Sequence, residues 1–223
     1  MQMPINANAP GLDPRHRIAV LKSIELVASV SPSDFDRPTP CEEWNLFDLV
    51  AHMTVQHRGF AAAARGSGAD PAVWEVESVA AAVRADSCGA YSSAAHDVLA
   101  EFSADRAADA LFALPEFGAD AVIPGAMAMG FHFVDYVVHG WDVAASLGVP
   151  YELPADVVDA VLPLVLAVPD GDVRTTAGLP FAAALASGDC EGLDRILRHL
   201  GRDPGWAQRY STVPGAWSDQ RNA

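Results

Sequence analysis

The sequence predicts a mostly α-helical protein, a four-helix bundle with a small C-terminal lobe of helix and some strand. Three observations lead there. Apolar residues recur at helical spacing through four long segments. Residues that favour helix starts and stops bracket those segments. Long connections join them, as in bundles with crossover loops.

The first helix starts at Asp13, an N-cap followed by Pro14 at the first helical position. Val20, Leu21, Ile24, Val27 and Ala28 give it one apolar face, and it should stop near Ser31-Pro32. The stretch DRPTPCEEW (36–44) holds two prolines and reads as an ordered loop. A second helix opens at Asn45, with Asp48 three residues on as a variant capping box. Leu49, Met53, Phe60 and Ala64 keep its spacing until Gly66 and Gly68. Part of 71–86 reads as helical, Gly89 reads as an interruption, and Ser93 to Phe102 forms the third long helix. Residues 103–124 read as a long connection with one short strand or helix. The fourth helix runs from about Gly125 to Leu147, stopped by Gly148 and Pro150.

Past Pro150 the pattern changes. Pro154 to Val168 reads as a helix that Pro163 bends or ends. Residues 169–190 suggest short strands, Gly192 to Leu200 a last helix, and GRDPGW (201–206) leads into a loose tail. The expected organisation is a flexible N-terminus (1–11), a helical bundle (12–149), a small lobe (150–210) and a tail (211–223).

Composition narrows the function. The chain has 223 residues, 51% of them hydrophobic, so it can bury a substantial core and is no disordered acidic tail. Its formal net charge of −15 argues against nucleic acid and anionic lipid as partners, since both are held by clustered Lys and Arg. No basic-then-apolar leader opens the sequence, and no window is apolar enough to cross a membrane. Three scattered cysteines, Cys41, Cys88 and Cys190, fit a reducing compartment better than a disulfide framework. A cytoplasmic protein acting on a small molecule, as monomer or homodimer, is the expectation.

The chemistry concentrates in FHFVDYVVHGWDVAASLG (131–148). Asp135, His139, Asp142 and Ser146 fall along one stripe at about 100° per residue, and His132 extends it. Asp135 and His139 stand one turn apart and can converge on a single point. Alone, such a pair is an ordinary i,i+4 ion pair or a polar face. Its apolar and aromatic flanks point instead to a buried helix, whose polar groups need partners or a ligand. His52 on the second helix offers a third ligand. Two histidines and a carboxylate leave coordination positions open, as in catalytic zinc sites, and the same set also serves iron(II). His16, His57, His96 and His199 read as surface or packing residues. Cys41 stands near a helix start that would stabilise a thiolate, though packing is the preferred reading. Arg174, in the C-terminal lobe, is a candidate for holding a carboxylate of a thiol cofactor or substrate.

Three segments carry a resemblance: RPTPCEEWNLFDLVAHM (37–53), DYVVHGWDVAASLG (135–148) and LDRILRHLGRDPGW (193–206). Together they resemble the DinB-like metal-binding bundles, in the branch related to mycothiol-dependent maleylpyruvate isomerase. The resemblance implies a divalent metal, zinc foremost with iron, nickel or cobalt as alternatives, held by His52, Asp135 and His139. It departs from the isomerase pattern at Asp135, where that pattern has the longer Glu. His132 is then a candidate ligand or base, and Asp142 a candidate acceptor for the other ring nitrogen of a ligand histidine. The resemblance further implies mycothiol or a similar small thiol, activated at the metal to add to an electrophile, giving isomerisation or S-transfer. A thiol-independent metal enzyme and a non-catalytic metal-binding protein remain as alternatives.

Overall fold

A computed structural model describes residues 12–41, 44–118, 120–171, 174, 181–186 and 188–211. Helix α1 spans Pro14–Val27, and the Asp13 side chain accepts from the Arg15 backbone N–H at 2.8 Å. A single 3-10 turn follows at Pro32–Asp34, and a bridge between Pro38 and Asn45 closes the next loop. Helix α2 (Leu46–Ala64) opens on the expected capping box, with Asn45 and Asp48 each bonding the other's backbone N–H. Such a cap stabilises a helix start by about 1 kcal/mol.

Helices α3 (Glu77–Ala85) and α4 (Ser87–Phe102) come next. Helix α4 begins six residues before the predicted Ser93. Gly89 does not interrupt it, because it stands in the first turn and its N–H bonds the Asp86 carboxylate at 2.9 Å. Amides in a first turn lack helical partners anyway, so glycine there breaks nothing. The long connection holds an antiparallel hairpin, β1 (Leu111–Ala113) with β2 (Val122–Pro124), in register Phe112 to Ile123. A 3-10 turn at Pro115–Phe117 lies between the strands.

Helix α5 (Gly125–Leu147) is the centre of the protein. From His132 to Ser146 every residue is buried except Asp135, which is half-buried. Gly148 ends it with φ +70°, a left-handed stop that glycine adopts without strain. Arg37 also reaches this end, donating to the Ser146 carbonyl at 3.2 Å. Gly140 is required for a different reason. A Cβ there would lie 2.7 Å from the Tyr151 hydroxyl, which donates to the Val137 carbonyl at 2.9 Å.

The C-terminal lobe has α6 (Ala155–Leu166), α7 (Gly192–His199) and α8 (Trp206–Ser211). Pro163 lies inside α6 and does not end it. No strand forms among the described residues of 169–190, and α8 stands where a loose tail is predicted. The lobe is not separately cored. Val157, Val161 and Ile196 pack with Phe133 and Val137 of α5 and Ala19 of α1 in one cluster.

One polar feature crosses this apolar interior. His16 Nε2 lies 2.8 Å from His132 Nδ1, and His132 Nε2 lies 3.1 Å from His57 Nδ1. The three rings come from α1, α5 and α2. They are walled by Phe60, Phe102, Phe133 and Tyr136, the last stacked 3.9 Å from His57. All three are buried, and His57 Nε2 has no partner. Burial, the largest cause for all three, lowers each imidazole's pKa, that of His16 to about 3.

The folded state thus holds these rings neutral, while the unfolded chain binds protons below the ordinary value of 6.5. Their contribution is intact above 6.5 and shrinks as the pH falls from there toward 3. Urea unfolding at pH 7.5, 6 and 5 should show a falling midpoint. A His132→Leu protein should be less stable at pH 7.5, by about 1–3 kcal/mol for each histidine left without its bond.

Candidate functional site

The loop before α2, the C-terminal half of α5 and the start of the segment after α7 meet around one carboxylate. Asp142 Oδ2 accepts from His139 Nδ1 at 3.0 Å, from the Cys41 thiol at 3.1 Å and from Arg202 Nη2 at 3.3 Å. Cys41 is held by its own loop. Thr39 Oγ1 donates to the Trp44 and Cys41 carbonyls, both at 3.0 Å, and accepts from the Cys41 N–H at 3.1 Å. Arg202 adds a bond to the Leu200 carbonyl at 2.9 Å and stands 3.3 Å from Cys41 Sγ.

Charge follows from these contacts. Burial opposes ionisation of Asp142, but the Arg202 charge and the bonds from His139 and Cys41 hold its carboxyl below the usual range. Cys41 goes the other way. Burial, then the Asp142 charge, pushes its thiol far up, so it is a hydrogen-bond donor and not a nucleophile. An ionised Asp142 can only accept, so His139 Nδ1 carries the proton. That bond leaves the Nε2 lone pair of His139 uncommitted, as a metal ligand requires.

His52 comes close to His139. Their rings meet in a T, with centroids 5.4 Å apart, and Trp44 packs on His52 from the other side at 4.6 Å. Burial above all lowers His52 to about 3, which keeps its ring neutral and able to donate a lone pair. Asp135 lies one turn before His139. Its carboxyl is pushed up to about 8 by burial and by the negative charge of Glu116, against a smaller pull from Arg202.

Among the described residues, one group brings three ligand atoms within 4.8 Å of one another: Cys41, His139 and Asp142. His52, Asp135 and His139 do not draw into so tight a group in this conformation. The tight group has a guanidinium against two of its three members, and a bound cation there would have to displace Arg202. Among the described residues, no guanidinium bonds His52, Asp135 or His139 directly, and the chemistry of that donor set fits a divalent ion.

Two predicted residues stand apart from this cluster. His132 points into the buried histidine chain, where both ring nitrogens are engaged. Arg174 donates to the backbone carbonyls of Pro169, Ala182, His199 and Val168, which occupies a buried side chain in holding its own loop. Asp142 stands where an acceptor for a ligand histidine is expected. Arg202 went unrecognised in the sequence. It lies within the quoted segment LDRILRHLGRDPGW, but nothing local marks it as the partner of a residue 60 positions earlier.

A helical bundle with a histidine–carboxylate cluster on its long central helix is the DinB-like architecture. Comparison with known proteins sharpens this. The profile of the mycothiol maleylpyruvate isomerase N-terminal domain family matches residues 17–144, and the chain belongs to that family. Two uncharacterized proteins of Mycobacterium tuberculosis, from strains CDC 1551 / Oshkosh and H37Rv, are each 28% identical over 158 residues. Those matches cover 70% of this chain and 78% of theirs. The crystal structure of the mycothiol-dependent maleylpyruvate isomerase superposes with a TM-score of 0.52 at 12% identity. It covers 69% of this chain and 66% of that one, just under two thirds, and shows a shared fold. Among the described residues, no helix is long and apolar enough to cross a membrane.

The carboxylate hub makes a direct prediction. Asp142→Ala removes the anion that compensates Arg202, and breaking such a buried pair costs about 3–5 kcal/mol. The loss should appear as a lower denaturant midpoint. In the intact protein at pH 8, peptide mapping after brief alkylation should find Cys88, which is exposed, modified well before Cys41.

Proposed function

We propose that the chain is a metal-dependent enzyme of the thiol-using isomerase and S-transferase type. The observation that carries this is the His139 ring, fixed through Nδ1 by Asp142 with its Nε2 lone pair free, beside a neutral His52. His52, Asp135 and His139 would hold the ion, and family membership supports that choice. A divalent metal there would supply the positive charge that turns a small thiol into a thiolate near neutral pH. Zinc suits two imidazoles and one carboxylate, and iron(II) takes the same set.

The residues have separable tasks. Asp142 orients His139 and fixes its tautomer. Trp44 packs on His52 and limits its ring movement. The apolar bulk of α5 buries His139 and Asp142, which strengthens the charge interactions between them. Mycothiol is the thiol suggested by the related isomerase, and the electrophile would be a small molecule with an activated double bond or a leaving group. A thiol-independent metal enzyme is the competing reading, separated by whether turnover needs added thiol.

Protein purified without chelator should contain about one divalent ion per chain by elemental analysis, as three protein ligands make one site. His52→Ala and His139→Ala should lose it, while Cys41→Ser should keep it. Retention in His52→Ala with loss in Cys41→Ser would move the ion to the cluster of Cys41, His139 and Asp142. Turnover in thiol-free buffer would remove the thiol from the mechanism.

A further inference from the structure

Helices α2 and α5 face each other in a fixed register. The His52 ring stands 5.4 Å from His139, His57 Nδ1 lies 3.1 Å from His132 Nε2, and the Phe60 ring stands 5.1 Å from His132. Numbers rise along one helix as they fall along the other, so the two run antiparallel. Gln56 lies midway between His52 and Phe60, and Asp135 and Tyr136 lie midway between His139 and His132. Gln56 therefore stands at the level of Asp135. It is also one turn after His52, on the same helix face. From Ala51 to His57 every residue is buried except His52 and Gln56, and from His132 to Ser146 every residue is buried except Asp135. These three positions mark the line along which α2 and α5 meet water at the proposed metal site.

The Gln56 residue is half-buried, yet its Oε1 is shut off from solvent and has no hydrogen-bond partner. Donors on the same stretch are committed elsewhere. Thr54 Oγ1 donates to the Val50 carbonyl at 2.7 Å, the Tyr136 hydroxyl donates to the Met53 carbonyl, and His57 Nδ1 is engaged by His132. A buried carbonyl oxygen without a donor is a standing cost that calls for a use. A molecule held between His52 and His139 would bring a donor to it from one turn away.

We propose that Gln56 selects the thiol held at the metal, its Oε1 accepting a hydrogen bond from an N–H or O–H two carbons from sulfur. This rests on the proposed metal–thiol function and names the class of thiol. Four helical residues rise about 6 Å from the level of His52 to that of Gln56, which a two-carbon spacer and the hydrogen bond together span. Thiols built on cysteine or cysteamine meet the requirement, since their nitrogen stands two carbons from sulfur. Plain alkyl thiols do not.

The test uses the cobalt(II)-loaded full chain and two thiols of one shape, N-acetylcysteamine and 2-mercaptoethyl acetate, in which an ester oxygen replaces the amide N–H. Binding is read from the thiolate-to-cobalt absorption band, without turnover. N-acetylcysteamine should bind roughly tenfold tighter, because the ester turns a second acceptor toward Oε1. Gln56→Leu should bring the two affinities within about twofold by weakening the amide alone, with the metal retained. Equal or tighter binding of the ester by the native chain overturns the inference, whether or not the variant folds. A preference that survives in Gln56→Leu, or loss of the metal from that variant, overturns it too. Bands from both thiols at equal affinity sink only this inference. A band from neither thiol sinks the metal–thiol reading and this inference with it.

Discussion

The buried carboxylate of Asp142 is the constraint on which the rest depends. One oxygen receives donors from three separate parts of the chain: a proline-rich loop, the central helix and the C-terminal lobe. A bare carboxylate at this depth would be intolerable, and each donor alone would leave it under-compensated. Together they fix the loop that carries Trp44, the ring of His139 and the seating of the lobe. The orientation of the His139 ring is thus a by-product of satisfying one charge. That ties the orientation of the site to global stability, and it explains why a thiol sits at the site without being its nucleophile.

The fold was legible wherever local chemistry decides it. Asp13-Pro14, Asn45 with Asp48, and Gly148 with Pro150 mark helix ends through their own backbone and side chains, and the structure follows them. Reading failed where a residue's effect depends on its place in the turn. Gly89 looks like a breaker, yet in the first turn it costs nothing and serves as the donor to Asp86. Pro163 similarly resides within α6 near its C-terminal end. The C-terminal lobe was the least legible part, because its helices pack on α5 and α1 as well as on one another, and those contacts are long-range.

The site was half legible for a related reason. Asp135, His139 and Asp142 lie on one helix, and their spacing reports their common face. His52 entered by the same helical logic on α2. Arg202 and the engagement of Arg174 depend on long-range closure, which no single-helix spacing records. The histidines divide in the same way. His132 shares a stripe with the site residues by angle, but its neighbours across the bundle are His16 and His57, so its ring serves the interior. Angle on a helix gives direction; only packing gives the occupant of that direction.

That row of three imidazoles has a polarity. A neutral ring owns one N–H and one lone pair, so the middle ring must give to one neighbour and take from the other. The tautomers of all three are locked together, and reversing one reverses the row. His57 Nε2, which has no hydrogen-bond partner, stands at one end of the row beside Tyr91 and Tyr136, and whether it carries a lone pair or an N–H sets the direction. In either sense the N–H bonds all run one way between α2 and α1 through α5, giving the middle of the bundle an oriented line of dipoles.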